Sequence, residues 1–163
     1  MYTDLDPIDF QILGLLQEDG RASHSAVAEA VGLSQPAVHE RVKKLEKRGV
    51  IRGYTAIVDP EALGLHVLAL INIRMNDFAA HKIAEAIRNI PGVMDVLNVA
   101  GEDCLVVKVR VHSPTEIERI LKQIWESGPV AATRTTVAFS AFKESLSLPL
   151  PQDYADEEER LSA

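Results

Sequence analysis

The sequence predicts an α+β protein in two parts, a small helical domain followed by a β-α-β-β-α-β sandwich. Three observations carry that reading. Capped amphipathic helices separated by a glycine turn fill residues 23–49. A short stretch rich in β-formers, residues 51–58, interrupts the helical pattern. The remainder then repeats itself by role at an offset of 37 residues.

With 163 residues, 47% of them apolar and 25% charged, the chain has the composition of a globular protein with room for two small domains. Its net charge of −7 argues against coating nucleic acid or an anionic membrane with the whole surface, so any such contact has to be local. A local site exists. Within residues 41–52, Arg41, Lys43, Lys44, Lys47, Arg48 and Arg52 meet only Glu46, a charge of +5 inside an acidic protein. Cys104 is the single cysteine, which excludes an intrachain disulfide and fits a reducing interior. The acidic N-terminus lacks the basic and apolar regions of a signal peptide, and no apolar run approaches membrane-spanning length. The expectation is a cytoplasmic protein with no membrane partner.

The first helix starts with Asp6 as N-cap, Pro7 at the first helical position and Asp9 in the first turn. Leu5 and Phe10 staple that start, Ile8, Ile12, Leu15 and Leu16 form the buried stripe, and Gly20 ends the helix. The second helix follows Ser23, presents Val27, Ala30 and Val31, and stops at Gly32. Gly32, Leu33 and Ser34 turn the chain into a third helix, which Ser34 caps, Leu33 and Val38 staple, and Gly49 closes as a left-handed residue. Pro36 sits in its first turn, where a missing N–H costs little. Val38, Val42 and Leu45 supply the buried stripe, so the opposite surface holds Gln35, His39, Glu40, Lys43, Lys44 and Lys47. Short helix, glycine turn and second helix make a helix-turn-helix unit in a winged-helix-like domain over residues 1–50.

Residues 51–58 read as a strand, ended by Asp59-Pro60, within a linker and hinge over 51–63. In the domain expected over 64–146, strand 67–75 corresponds to strand 104–112, and the helix starters Asn76 and Ser113 fall at the repeat offset. Further strands are expected at 93–100 and 130–142. The order is that of a ferredoxin-like fold, with both helices on one face of a four-stranded sheet. Ile83, Ala86, Ile87 and Ile90 from one helix and Ile117, Ile120, Leu121 and Ile124 from the other are expected on that face, with Trp125 continuing the apolar side. The other face is expected to be apolar enough to seek a second copy of itself, in a symmetric homodimer. Residues 147–163 read as an acidic tail, without a core pattern and expected to be disordered from Pro149 onward.

With both domains placed, the chain resembles the Lrp/AsnC transcription factors, the leucine-responsive and asparagine or feast/famine regulators. The resemblance runs from about Leu5 to Glu144 and rests on LDPIDFQIL at 5–13, GLSQPAVHERVKKLEKRGVIRGYTAIVDPEALG at 32–64 and VAGEDCLVVKVRV at 99–111. It implies a regulator that binds double-stranded DNA, dimerises through its regulatory sheets, with dimers in the family often assembling into octamers, and responds to a small molecule, commonly an amino acid.

On this reading Lys43, Lys44, Lys47, Arg48 and Arg52 are suited to phosphates, which give affinity and position without reading sequence. Gln35 can pair with adenine, His39 can donate or accept at a base edge, and Pro36 can meet a thymine methyl, next to the cap residue Ser34. Two residues carry alternatives: Arg41 either touches DNA or pairs with an acid such as Asp9, and Glu40 either reads cytosine or supports a neighbouring Arg. Gly101 lets the backbone turn and opens amides to a small anion, with Glu102 or Asp103 facing an ammonium group. In many relatives this turn reads Gly-x-x-Asp; here Cys104 holds the acid's position, so either the preceding acids take its role or the specificity differs. Thr133, Thr135 and Thr136 are the family-matched candidates on the last strand, against the plain alternative that Thr is a good strand residue.

Two rival functions share parts of this pattern. Sirohaem decarboxylases resemble the same two-domain fold, but have no need of a capped helix bearing groove-matched Lys and Arg. A DNA-packaging protein without an effector would keep the helix and lose sequence selectivity. The histidines at 24, 39, 66, 81 and 112 show no ligand spacing, Cys104 opens an alternating strand as a packing residue, and no nucleophile, base and orienter stand in register. The expectation is a protein with no enzymatic activity, no cofactor and no metal.

Overall fold

The computed structural model describes residues 5–75, 80–151 and 153. The chain divides into two compact units, 1–57 with 144–163, and 58–143.

The first unit is built on three helices, α1 (Pro7–Glu18), α2 (His24–Val31) and α3 (Gln35–Lys47). Each begins where a side-chain oxygen takes over an amide that the helix cannot satisfy. Asp6 and Asp9 form a reciprocal capping box, Ala26 N–H donates to Ser23 Oγ at 3.2 Å, and Ala37 N–H donates to Ser34 Oγ at 3.4 Å. Gly32 (φ +69°) and Gly49 (φ +70°) take the left-handed conformation that lets α2 and α3 stop sharply. Ile12, Val27, Ala28, Val38, Val42 and Leu45 are buried together. On α2 it is Ala28, not the expected Ala30, that turns inward, because Val27, Ala28 and Val31 lie on one side of so short a helix.

That core is small, and each large apolar side chain in it contributes about 2 kcal/mol. A polar bridge adds to it. Arg41 Nη1 donates to Asp6 Oδ2 and to Asp9 Oδ1, both at 2.7 Å, clamping α3 to the start of α1. Asp9 is 7% exposed and Arg41 only partly so. The Asp9 N–H first, and the Arg41 guanidinium second, hold the Asp6 carboxyl below the usual carboxylate range; the two carboxylates in turn raise Arg41.

The second unit opens with a 3-10 turn, Glu61–Leu63, followed by β1 (Val67–Met75), α4 (Ala80–Ile87), β2 (Val93–Asn98), β3 (Leu105–Val111), α5 (Pro114–Glu126) and β4 (Val130–Ala138). The sheet is antiparallel in the order β2-β3-β1-β4, with β1 paired on both sides. Ala69, Ile71, Ile73 and Met75 of β1 face the helices together with Leu105, Val107, Val109 and Val111 of β3. Ile83 and Ile87 of α4 and Ile117, Ile120 and Ile124 of α5 close over them. Gly92 makes that closure possible at the β2 corner. Its φ is +95°, and a Cβ there would lie 2.8 Å from Val111 Cγ1 and 3.3 Å from the Arg110 carbonyl oxygen.

Several expectations are corrected here. Residues 51–58 form no strand, because the chain offers them no neighbour to share a ladder, and Tyr54, Ile57 and Val58 are exposed. Ala86 is exposed and Ala84 packs on the core instead, since Ile83, Ala84 and Ile87 share one side of α4. Trp125 is 47% exposed, lying beside the stripe of Ile117, Ile120 and Ile124 rather than in it. The strand expected to 142 ends at Ala138, where its pairing with β1 runs out at Leu68, leaving Phe139 and Phe142 fully exposed. The open face of the sheet is more polar than expected: Leu68, Leu70 and Val106 share it with Asn72, Lys108 and Arg134. Asn76 and most of the acidic tail lie outside the described residues.

Two outcomes follow. Gly92→Ala should destabilise the second unit by about 3 kcal/mol, from overpacking together with a left-handed backbone, read as a lower urea midpoint. Arg41→Met should cost the first unit about 2 kcal/mol at neutral pH by leaving Asp9 buried without its partner. Because Asp6 is held low in the folded state, its share is complete above the usual carboxylate range and is lost as pH falls below it. The gap between wild type and Arg41→Met should therefore narrow below about pH 4, measured by denaturant titration.

Candidate nucleic-acid interface and ligand site

Burial of Val38 (0%), Val42 (3%) and Leu45 (1%) fixes the rotation of α3 about its axis. Pro36, Glu40, Lys43 and Lys47 then follow one another along the opposite side, at spacings of four, three and four residues, all exposed. Ser34, Gln35, His39, Lys44, Arg48 and Arg52 are exposed as well. Lys43, Lys44 and Lys47 line a shallow cleft with Glu40, Arg41, Asp6 and Asp9. Arg41 stands apart from the expected set, because its Nη1 is committed to both aspartates. Glu46, the one acid in the basic window, accepts from Tyr54 Oη at 3.0 Å. The helix therefore presents three lysines along an open cleft whose nearby acids are engaged by Arg41 or Tyr54, apart from Glu40, which shares the cleft.

His39 is not alone. Its Nδ1 lies 3.4 Å from His24 Nδ1, with ring centroids 5.2 Å apart, so the first turn of α2 and the second turn of α3 share an imidazole pair. His24 escaped the sequence reading because nothing in the spacing of 15 residues announces the contact. The helix-turn-helix geometry is what produces it.

The second site gathers at the turn between β2 and β3. Asp103 Oδ2 accepts from Asn72 Nδ2 at 2.6 Å and from Arg134 Nη2 at 2.9 Å. Arg134 is well exposed, whereas the Asp103 side chain is mostly covered. Cys104 does not point into this group. It packs against the core, its N–H donates to the Ile73 carbonyl at 2.8 Å and its own carbonyl accepts from Val99 N–H at 3.1 Å, tying the turn to β1 and β2. Gly101 has φ +139°, and a Cβ there would meet nothing within 4 Å. Glycine is needed there for its backbone and not for space, and Glu102 beside it is exposed.

The three threonines separate. Thr133 and Thr135 pair with Ile73 and Ile71 and so lie on the helix side of the sheet, while Thr136 pairs with Leu70 on the open side. Of the expected residues, Asp103 and Thr136 therefore belong to the open face, joined by Asn72 and Arg134, which the sequence reading missed. Asn72 carried a signal, as a lone amide inside the apolar run VLALINI. Among the described residues no group of three His, Cys, Asp or Glu side chains could hold a metal ion, and no helix is long and apolar enough to cross a membrane.

Comparison with known proteins assigns both units. Residues 5–52 match the winged helix-turn-helix DNA-binding family, and residues 68–148 match the Lrp/AsnC ligand-binding domain. The HTH-type transcriptional regulator FL11 of Pyrococcus horikoshii is 34% identical over 150 residues, covering 92% of this chain and 99% of its own. LrpA of Mycobacterium tuberculosis, also an HTH-type transcriptional regulator, is 39% identical over 139 residues, or 85% of this chain and 92% of its own. Among solved structures, a transcriptional regulator of Neisseria meningitidis in complex with L-methionine superposes with a TM-score of 0.83 at 27% identity, covering 91% of this chain and 98% of that one. Since the matches span both units and run nearly the full length of these relatives, the chain belongs to the Lrp/AsnC family of transcriptional regulators, pairing a helix-turn-helix DNA-binding domain with a ligand-binding domain.

Proposed function

We propose that this regulator reads DNA with α3 as one of a symmetric pair and that an amino acid, bound at the open end of its sheet, sets its assembly or DNA affinity. The observation that carries the DNA reading is the exposed side of α3, held outward by a completely buried stripe. Lys43, Lys44 and Lys47, with Arg48 and Arg52, take phosphates; Gln35, Pro36 and His39, near the helix start, face base edges, and Glu40 stands between the two groups. Arg41 supports the helix from behind.

One such domain makes too few contacts for tight specific binding, so two copies on successive major-groove faces form the binding unit and the operator is roughly palindromic. The open sheet face, with Leu70 and Leu97 more than one-third exposed beside Leu68 and Val106, is the surface through which copies pair. Dimers stack further to octamers, as the family resemblance implies. The protein works in the cytoplasm and has no catalytic step to perform, consistent with FL11 and LrpA, both regulators by name.

For the effector, the Asp103–Arg134 pair supports a zwitterion. An amino acid brings a carboxylate for Arg134 and an ammonium for Asp103, so it can replace each partner's counter-charge without leaving either unpaired. Asn72, Thr136 and the Gly101–Glu102 backbone border the same face, while Thr133 and Thr135 lie behind the sheet and Cys104 packs beneath the turn, outside this group. The methionine complex of the Neisseria meningitidis relative favours an amino acid over other small anions.

Selection of bound sequences from random DNA tests the first part: Gln35→Ala should alter the selected motif. Lys43→Ala should keep the motif, weaken binding to every sequence and reduce the salt slope by about 1 per subunit. An unchanged motif for Gln35→Ala removes that residue from the readout. For the second part, calorimetric titration with L-methionine and the other common amino acids should find a ligand whose affinity falls at least about tenfold in Asp103→Asn and in Arg134→Ala. Wild-type protein that binds none of them would sink the effector reading.

A further inference from the structure

We propose that residues 144–150 form a clasp on the DNA-binding unit of the same chain, so that this unit is held by two chain crossings, at 57/58 and at 143/144, instead of by the linker alone. The domain match to the ligand-binding family runs through to residue 148, yet residues 144–151 group with the helices of the first unit.

The contact has a specific form. Gln17 on α1 reads the backbone of Leu148 in both directions: Leu148 N–H donates to Gln17 Oε1 at 2.6 Å, and Gln17 Nε2 donates to the Leu148 carbonyl at 3.0 Å. Neighbouring strands exchange the same two bonds, so a single primary amide serves here as one residue of a ladder. Leucines recur at 146, 148 and 150, the alternation of an extended segment that offers one side to a surface. The surface is a groove of about 980 Å³ lined by Leu5, Phe10, Leu13, Leu16 and Ile51. Leu146 and Leu148 stay 70% and 69% exposed, so the hold rests on the amide pair and on Leu150 more than on burial. A contact of that kind can open and close without unfolding the helices beneath it.

The topology gives the clasp a role. Ala138, the last residue of β4, pairs with Leu68 at the start of β1, so the chain enters and leaves the sheet side by side. In the first unit, residues 53–55 of the outgoing linker and Leu146 of the returning segment line the same groove. The returning segment is the direct continuation of β4, which carries Arg134. Resting on the effector reading above, opening of the Asp103–Arg134 pair acts on the strand whose continuation holds the DNA-binding unit.

Hydrogen exchange on the full-length protein tests the clasp without DNA or effector. The Leu148 amide should exchange at least about tenfold more slowly than a coil amide in wild type and at the coil rate in Gln17→Ala, a substitution a helix surface accepts readily. Coil-rate exchange in wild type, or unchanged protection in Gln17→Ala, overturns it. Joining Gln17→Cys to Leu148→Cys with a short bismaleimide should give an intrachain product on a denaturing gel; an interchain product, or none, rejects a clasp within one chain. The second crossing is tested with DNA: Gln17→Ala should bind a single half-site as wild type does and a two-half-site duplex about tenfold more weakly, because a loosely held domain has a lower effective concentration at its second site. Equal affinity of both proteins for the two-half-site duplex would remove the tethering role while leaving DNA recognition intact.

Discussion

Helical periodicity is the constraint on which the DNA-binding unit depends. Once Val38, Val42 and Leu45 are inside, no freedom remains in how α3 is turned, and the residues able to meet a groove are chosen by where the core is. The buried stripe thus acts as a functional element although none of its atoms can touch DNA. Arg41 completes the same constraint: a cation on the flank of a basic helix is drawn to α1 by Asp6 and Asp9 and becomes a brace.

In the ligand-binding unit the corresponding role falls to β1. Pairing on both edges, it presents Ala69, Ile71 and Ile73 to the helices and Leu70 and Asn72 to the open side. The alternation of a single strand therefore sets the core and the candidate ligand face at once. The separation of Thr136 from Thr133 and Thr135 is the visible result: residues adjacent in sequence part company when the sheet decides their side.

Much of this was legible in the sequence, for identifiable reasons. Caps and glycine stops are local chemistry, and Asp6, Ser23, Ser34, Gly32 and Gly49 each stand where the pattern put them. The boundaries of β1 were legible because a run of β-formers is flanked by breakers. What escaped depended on partners far along the chain. The choice of Ala28 over Ala30, and of Ala84 over Ala86, turns on which side of a short helix its neighbour occupies, and alanine is too small to announce that from pattern alone. Trp125 reads as core by hydrophobicity but lies beside its stripe. Asn72 and Arg134 are 62 residues apart, face each other across the β1–β4 ladder and share Asp103, which no spacing rule links to either. Residues 51–58 have the composition of a strand, and composition cannot supply the neighbour a strand requires.

The charge distribution along the chain has a kinetic consequence. The protein as a whole is negative by seven, while the stretch from Arg41 to Arg52 is positive by five. A polyanion approaching from any other side is repelled before contact, and one approaching α3 is drawn in, so the long-range field orients the encounter before any side chain is read. This orientation fades as salt shortens the screening length to about 10 Å at 0.1 M. At low ionic strength the regulator should find DNA already turned toward it, and in concentrated salt it has to search by rotation as well as by translation.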